Sequence, residues 1–125
     1  MNKNLILSAA VGYNFQQIEF FVKSLRKYYS GEVCFFIDEN ESLEKELKRF
    51  DCNIIKTKIH KNETINKRNE IFSKYLEKRD YDNVLLCDSR DIYFQGNPFE
   101  FNYKGPINFF LEDHQIKDCP YNSNW

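Results

Sequence analysis

Leu5-Ile-Leu-Ser-Ala-Ala-Val11 runs uncharged into Gly12-Tyr13-Asn14, and from Phe15 apolar residues recur at three- and four-residue steps. The first seven residues read as a strand buried on both faces. Gly12 breaks it and Asn14 can cap the next element. Phe15, Ile18, Phe21, Val22, Leu25, Tyr28 and Tyr29 then form the apolar stripe of a helix, with Gly31 expected as its C-cap. A buried strand passing straight into a helix points to a parallel sheet.

The alternation continues along the chain. Residues 32–37 read as a second buried strand, with Asp38 at its carboxyl end. Residues 40–50 form a short charged helix with Leu43, Leu47 and Phe50 facing inward. Residues 52–57 are a third strand. Asn62 or Thr64 caps a third helix to about Lys78, with Ile65, Phe72, Tyr75 and Leu76 inward. Residues 83–87 are a fourth strand, expected to be buried along its length and to end at Asp88-Ser-Arg-Asp91. Residues 106–111 read as a fifth strand, followed by Glu112. The expected fold is α/β, a Rossmann-like three-layer sandwich with a mostly parallel sheet and right-handed crossovers. Such sheets bind ligands outside the carboxyl ends of their strands. That rule selects Gly12, Tyr13, Asp38, Asp88, Arg90, Asp91 and Glu112 as candidates.

Composition narrows the class. A chain of 125 residues makes one domain, and a domain of that size buries roughly two thirds of its unfolded surface. Apolar residues at 42% exclude disorder as the main state, and a net charge of −1 argues against a general nucleic-acid binder. Twelve Phe, eight Tyr and one Trp need a large core or a surface to stack against. Cys34, Cys52, Cys87 and Cys119 form no Cys-x-x-Cys pair, and only His60 and His114 could join them. Zinc spacing is absent, and a reduced, cytoplasmic protein is expected. The N-terminal apolar run is short and holds Ser8, which favours a strand over a signal peptide. No stretch approaches the roughly 20 apolar residues of a membrane span. Neither the Gly-x-Gly-x-x-Gly of a dinucleotide site nor a P-loop is present.

Asp88-Ser-Arg-Asp91 is the strongest chemical signal. Its carboxylates suit a hard divalent cation, which prefers oxygen ligands. Arg90 could bind a phosphate or lock one of the carboxylates. The plainer alternative is a solvated acidic turn held by that Arg.

Val84-Leu-Leu-Cys-Asp-Ser-Arg-Asp-Ile-Tyr-Phe-Gln-Gly-Asn-Pro-Phe99 resembles a segment of GT-A-fold nucleotide-sugar glycosyltransferases, of the form LL-x-D-x-RD-x-x-FQ-x-x-PF. Asn122-Ser-Asn-Trp125 is similar to an N-x-x-W segment of the same proteins. The resemblance implies one nucleotide-sugar-binding domain over residues 1–125, GT-A-like and incomplete at its C-terminus. It implies Mn2+ or Mg2+ as cofactor, with Asp91 as the main ligand and Asp88 helping. Ser89 stands where an Asp-x-Asp motif has its first Asp. Gly12, Tyr13 and Asp38 would hold the nucleoside, and Arg68 and Arg90 would serve the phosphates. No catalytic base is assigned.

Bland readings stand beside these roles. Tyr13 is either a stacking platform or a half-exposed turn residue. Asp38 either meets a ribose or base or caps the next turn. Arg68 sits on the apolar side of its helix and needs Asp88, Asp91 or a phosphate as partner, unless it snorkels to water. Lys56, Lys58, Lys61 and Lys67 steer an anion or are merely solvated. Glu112-Asp113 contacts the donor or starts a turn.

The expected function is transfer of a sugar from a nucleotide-diphosphate donor to a glycan or glycoconjugate acceptor, by this chain or with it as the donor-binding half. A non-catalytic module is the alternative from another class, with a protein partner or homodimer covering an incomplete sheet edge. A metal-dependent phosphohydrolase is less favoured, because Ala9-Ala-Val-Gly12 occupies the usual place of its nucleophilic Asp. Tyr93, Phe94, Phe99, Phe101 and Tyr103 are expected to pack on elements beyond Trp125, leaving this chain marginally stable.

Overall fold

The structure, a computed structural model, describes residues 3–59 and 63–108. Strands β1 (Asn4–Ala9), β2 (Glu32–Ile37), β3 (Asn53–Lys56) and β4 (Asn83–Leu86) alternate with helices α1 (Phe15–Tyr28), α2 (Glu41–Arg49) and α3 (Thr64–Glu77). The sheet is all-parallel in the order β3-β2-β1-β4. The α/β sandwich expected from the strand–helix alternation is therefore present over four strands. No described helix is long and apolar enough to cross a membrane.

Side-chain alternation divides the core into two layers. Ile6 of β1 and Val33, Phe35 and Ile37 of β2 face α1 and α2. Leu5 and Leu7 of β1 and Cys34 and Phe36 of β2 face α3. The central strands are apolar on both sides, which is why they read as continuous apolar runs.

Local signals set the helix ends. Asn14 and Gln17 form a capping box at α1, each side chain accepting the other's backbone N–H at 3.0 Å. Asn40 caps α2 by accepting Leu43 N–H at 3.1 Å. Gly31 is not the C-cap of α1. That place belongs to Tyr29 in extended conformation, whose N–H reaches Leu25 O. Gly31 serves packing instead, since a Cβ there would collide with the Tyr29 phenol. Thr64 is the first helical residue of α3 rather than its cap, a position held by Glu63. Asn62 and the side chain of Ile65 lie outside the described residues.

Three burial expectations change. Among the described strands β4 lies at the edge of the sheet, and Val84 and Leu86 stand 36% and 49% exposed while Leu85 packs inward. Tyr28 is exposed rather than part of the α1 stripe. Phe94 and Phe99 pack on the α1/α2 layer, with Phe94 edge-on to Phe21 at 5.1 Å and Phe99 beside Tyr29 at 5.2 Å. Tyr93 and Phe101 are exposed. Residues 106–108 carry no strand. Residues 109–111 and everything placed after them, Glu112, Asp113, His114, Cys119 and residues 122–125, lie outside the described residues, as do His60 and Lys61.

Candidate functional site at the β1–β4 switch point

Strand order fixes where a ligand would sit. The chain steps outward from β1 to β2 to β3, then returns to lay β4 on the opposite side of β1. The loops leaving β1 and β4 are therefore neighbours at the carboxyl edge of the sheet, the place where open α/β sheets bind ligands. Gly12-Tyr13 follows β1 and Asp88-Ser-Arg-Asp91 follows β4.

Two serines stitch these strand ends together. Ser8 Oγ donates to Cys87 O at 2.7 Å, and Ser89 Oγ donates to Ala9 O at 2.8 Å. Cys87 N–H also reaches Leu7 O at 3.3 Å, one step past the end of β4. Both serines are buried, so each hydroxyl satisfies a carbonyl that the ladder no longer serves. Ser89 thus faces into the protein and acts as a tether rather than as a cation ligand. Sequence reasoning gave neither serine this tethering role; the one available signal was a hydroxyl inside an apolar strand at Ser8.

Gly12 takes φ 77°, the left-handed region that suits glycine, and turns the chain sharply out of β1. Tyr13 comes next, half-buried against the α1/α2 layer. Asn40 Nδ2 donates to Tyr13 O at 3.5 Å, tying this loop to the start of α2. The Arg90 guanidinium lies 5.9 Å from the Tyr13 ring centroid, which joins the two loops. Among the described residues Arg90 makes no ion pair with Asp88 or Asp91.

Arg68 projects from α3 and pairs with Asp88. Of the partners open to it from sequence, the structure selects this carboxylate. Asp91 is exposed in the same turn. Asp38, at the end of β2, carries a buried Oδ1 with no hydrogen-bond partner. A buried acceptor in that state leaves desolvation uncompensated, which a donor group arriving from a ligand would correct.

Cys87 adjoins the turn but offers no nucleophile. Burial first, and then the Asp88 charge, push its thiol up to about 12. No group of three or more His, Cys, Asp and Glu side chains comes together among the described residues. A cation bound here would draw on Asp88 and Asp91 and complete its shell from water and a ligand. Magnesium and manganese accept that arrangement, using one or two carboxylates plus phosphate oxygens.

Segments after the turn anchor it from behind. Phe94 N–H donates to Ser24 Oγ at 2.9 Å, and the Phe94 ring fills the layer beneath α1. The fragment that looks like a surface loop is therefore pinned to the core three residues beyond Asp91.

No family model, curated protein or solved structure matches the chain.

Proposed function

We propose that the chain binds a nucleotide-diphosphate sugar at the β1–β4 switch point and serves as a glycosyltransferase or its donor-binding half. The observation that carries this reading is the position of Asp88-Ser-Arg-Asp91, tethered to β1 beside the Gly12-Tyr13 loop at the carboxyl edge of the sheet. Tyr13 offers a ring face to a nucleobase. Asp38, with its unsatisfied oxygen, accepts a hydrogen bond from a ribose hydroxyl or a base N–H. Arg90 and Arg68 supply guanidinium groups for the phosphates. Asp91, with Asp88, holds Mn2+ or Mg2+. A bound divalent cation neutralises charge on the departing diphosphate, which is its whole chemical contribution. The acceptor would be a glycan or glycoconjugate hydroxyl.

Calorimetric titration of uridine and guanosine diphosphates, with and without Mn2+, tests the reading. Metal-dependent binding that falls at least tenfold in Asp91→Asn supports it. A folded sample that binds neither nucleotide, or equal binding by Asp91→Asn, sinks it.

Exposed Val84 and Leu86 on the edge strand favour one other reading, a module that pairs with a second copy of itself. A dimeric mass by light scattering, together with no diphosphate binding, would favour it over the donor site.

A further inference from the structure

We infer that Arg68 couples cation and diphosphate binding: it neutralises Asp88 in the free protein and exchanges that carboxylate for phosphate when both ligands arrive. This role deepens the donor-site reading and rests on it.

The pair joins two elements that the sheet ladder does not connect. Arg68 belongs to α3, and Asp88 belongs to the turn after β4. Both side chains reach water, at 36% and 63% exposure, so the pair is screened. An exposed pair of this kind biases an equilibrium by roughly 1.5- to 5-fold, which leaves it exchangeable. A divalent cation approaching Asp88 meets a guanidinium already there, and the two cations repel. The turn offers a cation two carboxylates, Asp88 and Asp91, so a hard ion gains most of its shell elsewhere.

A diphosphate removes both obstacles. Its oxygens complete the cation's shell. They also give the displaced guanidinium a bidentate acceptor, which suits Arg better than a single carboxylate oxygen. Cation on Asp88 releases Arg68 to the phosphate, and phosphate on Arg68 vacates Asp88 for the cation. Linkage makes the coupling reciprocal, so each ligand tightens the other by the same factor.

The test uses the whole chain with Mn2+ and inorganic pyrophosphate as probes. Free Mn2+ is counted by electron paramagnetic resonance, and pyrophosphate binding is followed by calorimetry. Wild type is expected to bind Mn2+ more tightly when pyrophosphate is present. Arg68→Gln is expected to bind Mn2+ alone roughly 1.5- to 5-fold more tightly than wild type, yet to gain less from pyrophosphate, keeping only the part that comes from direct contact between cation and phosphate. Asp88→Asn is expected to bind pyrophosphate alone more tightly by a similar factor, because its guanidinium is already free. If wild type shows metal-dependent binding but Arg68→Gln holds Mn2+ no more tightly, the coupling role is overturned and the donor site stands. If wild type binds neither probe, both fall. Should the Gln variant not fold, Asp88→Asn decides alone: pyrophosphate affinity no better than wild type overturns the role.

Discussion

The two faces of the sheet are built to different depths. The face under α1 and α2 gathers fourteen buried residues, from Ile6 and Phe35 to Leu47 and Phe94. Among the described residues, the face under α3 gathers six, centred on Leu7, Phe36, Phe72 and Tyr75. Connectivity causes the difference. Two consecutive crossovers cover one side, whereas a single helix covers the other and leaves Val84 and Leu86 of β4 in water. The site spans both regimes. Tyr13 and the turn's anchor Phe94 rest on the deep face, while Arg68 rides on the shallow one. The well-packed Tyr13 loop and the solvent-exposed Arg68–Asp88 pair thus have separate mechanical origins.

Truncation should break this contrast most strongly on the deep face. Phe35→Ala removes a fully buried ring between two helices, and about 4 kcal/mol of stability should go with it. Phe72→Ala on the shallow face should cost less, about 3 kcal/mol, because fewer groups surround the cavity. Urea midpoints compare the two directly. Equal losses would mean that both faces are packed alike.

Arg26 sharpens the point at the base of the deep face. Its guanidinium donates to Phe50 O at 2.8 Å, Tyr29 O at 3.1 Å, Gly31 O at 2.7 Å and Asp51 O at 3.0 Å. It therefore ties the ends of α1 and α2 to the entry of β2. Arg26→Ala should cost about 2–3 kcal/mol, and Arg26→Lys should restore only part, since a point charge cannot serve four carbonyls in a fork. A loss under about 0.5 kcal/mol would show the clasp to be idle.

Alkaline pH probes both faces at once. Burial pushes the Cys34 and Cys52 thiols up to about 11, the first under α3 and the second under α1 and α2. Above pH 9 the unfolded chain releases these protons while the folded chain keeps them. The unfolded state then binds fewer protons, so stability falls as pH rises. The contribution is full below about pH 8 and is lost through pH 9 to 11. Denaturation at pH 8 and pH 10 should differ by about 2–3 kcal/mol from these two thiols. Cys34→Ala and Cys52→Ala should each remove part of the slope. A pH-independent midpoint would contradict the burial of both.

Leu86→Thr should be the mildest change, within about 0.5 kcal/mol, because an edge side chain half in water loses little apolar cover. A loss near that of Phe72→Ala would mean that something covers the edge in solution.

The alternation of apolar runs and amphipathic stripes made the four strands and three helices legible, because burial on both faces imposes its own pattern on composition. Asn14 marked its helix because a cap is a local bond, whereas Asn40, read as the first helical residue, proves to be the cap of α2. Gly31 misled, since its role is clearance for the Tyr29 phenol, a contact made by packing. β4 misled for a related reason. Val84-Leu-Leu-Cys87 reads as buried on both faces, yet its order in the sheet leaves one face open. Placing candidates at the strand ends came from class alone, while their partners did not.

Sequence by itself determined the α/β class, the element order and the chemistry available at Asp88, Arg90 and Asp91. Each of these depends on residues near in sequence. Tertiary structure alone decided that β4 lies beside β1, that Ser8 and Ser89 close that seam, and that Arg68 meets Asp88 while Arg90 meets Tyr13. The side-chain contacts among these join residues 20 to 80 positions apart. No local pattern encodes such pairings; they arise from the path the chain takes when it buries two faces of one sheet.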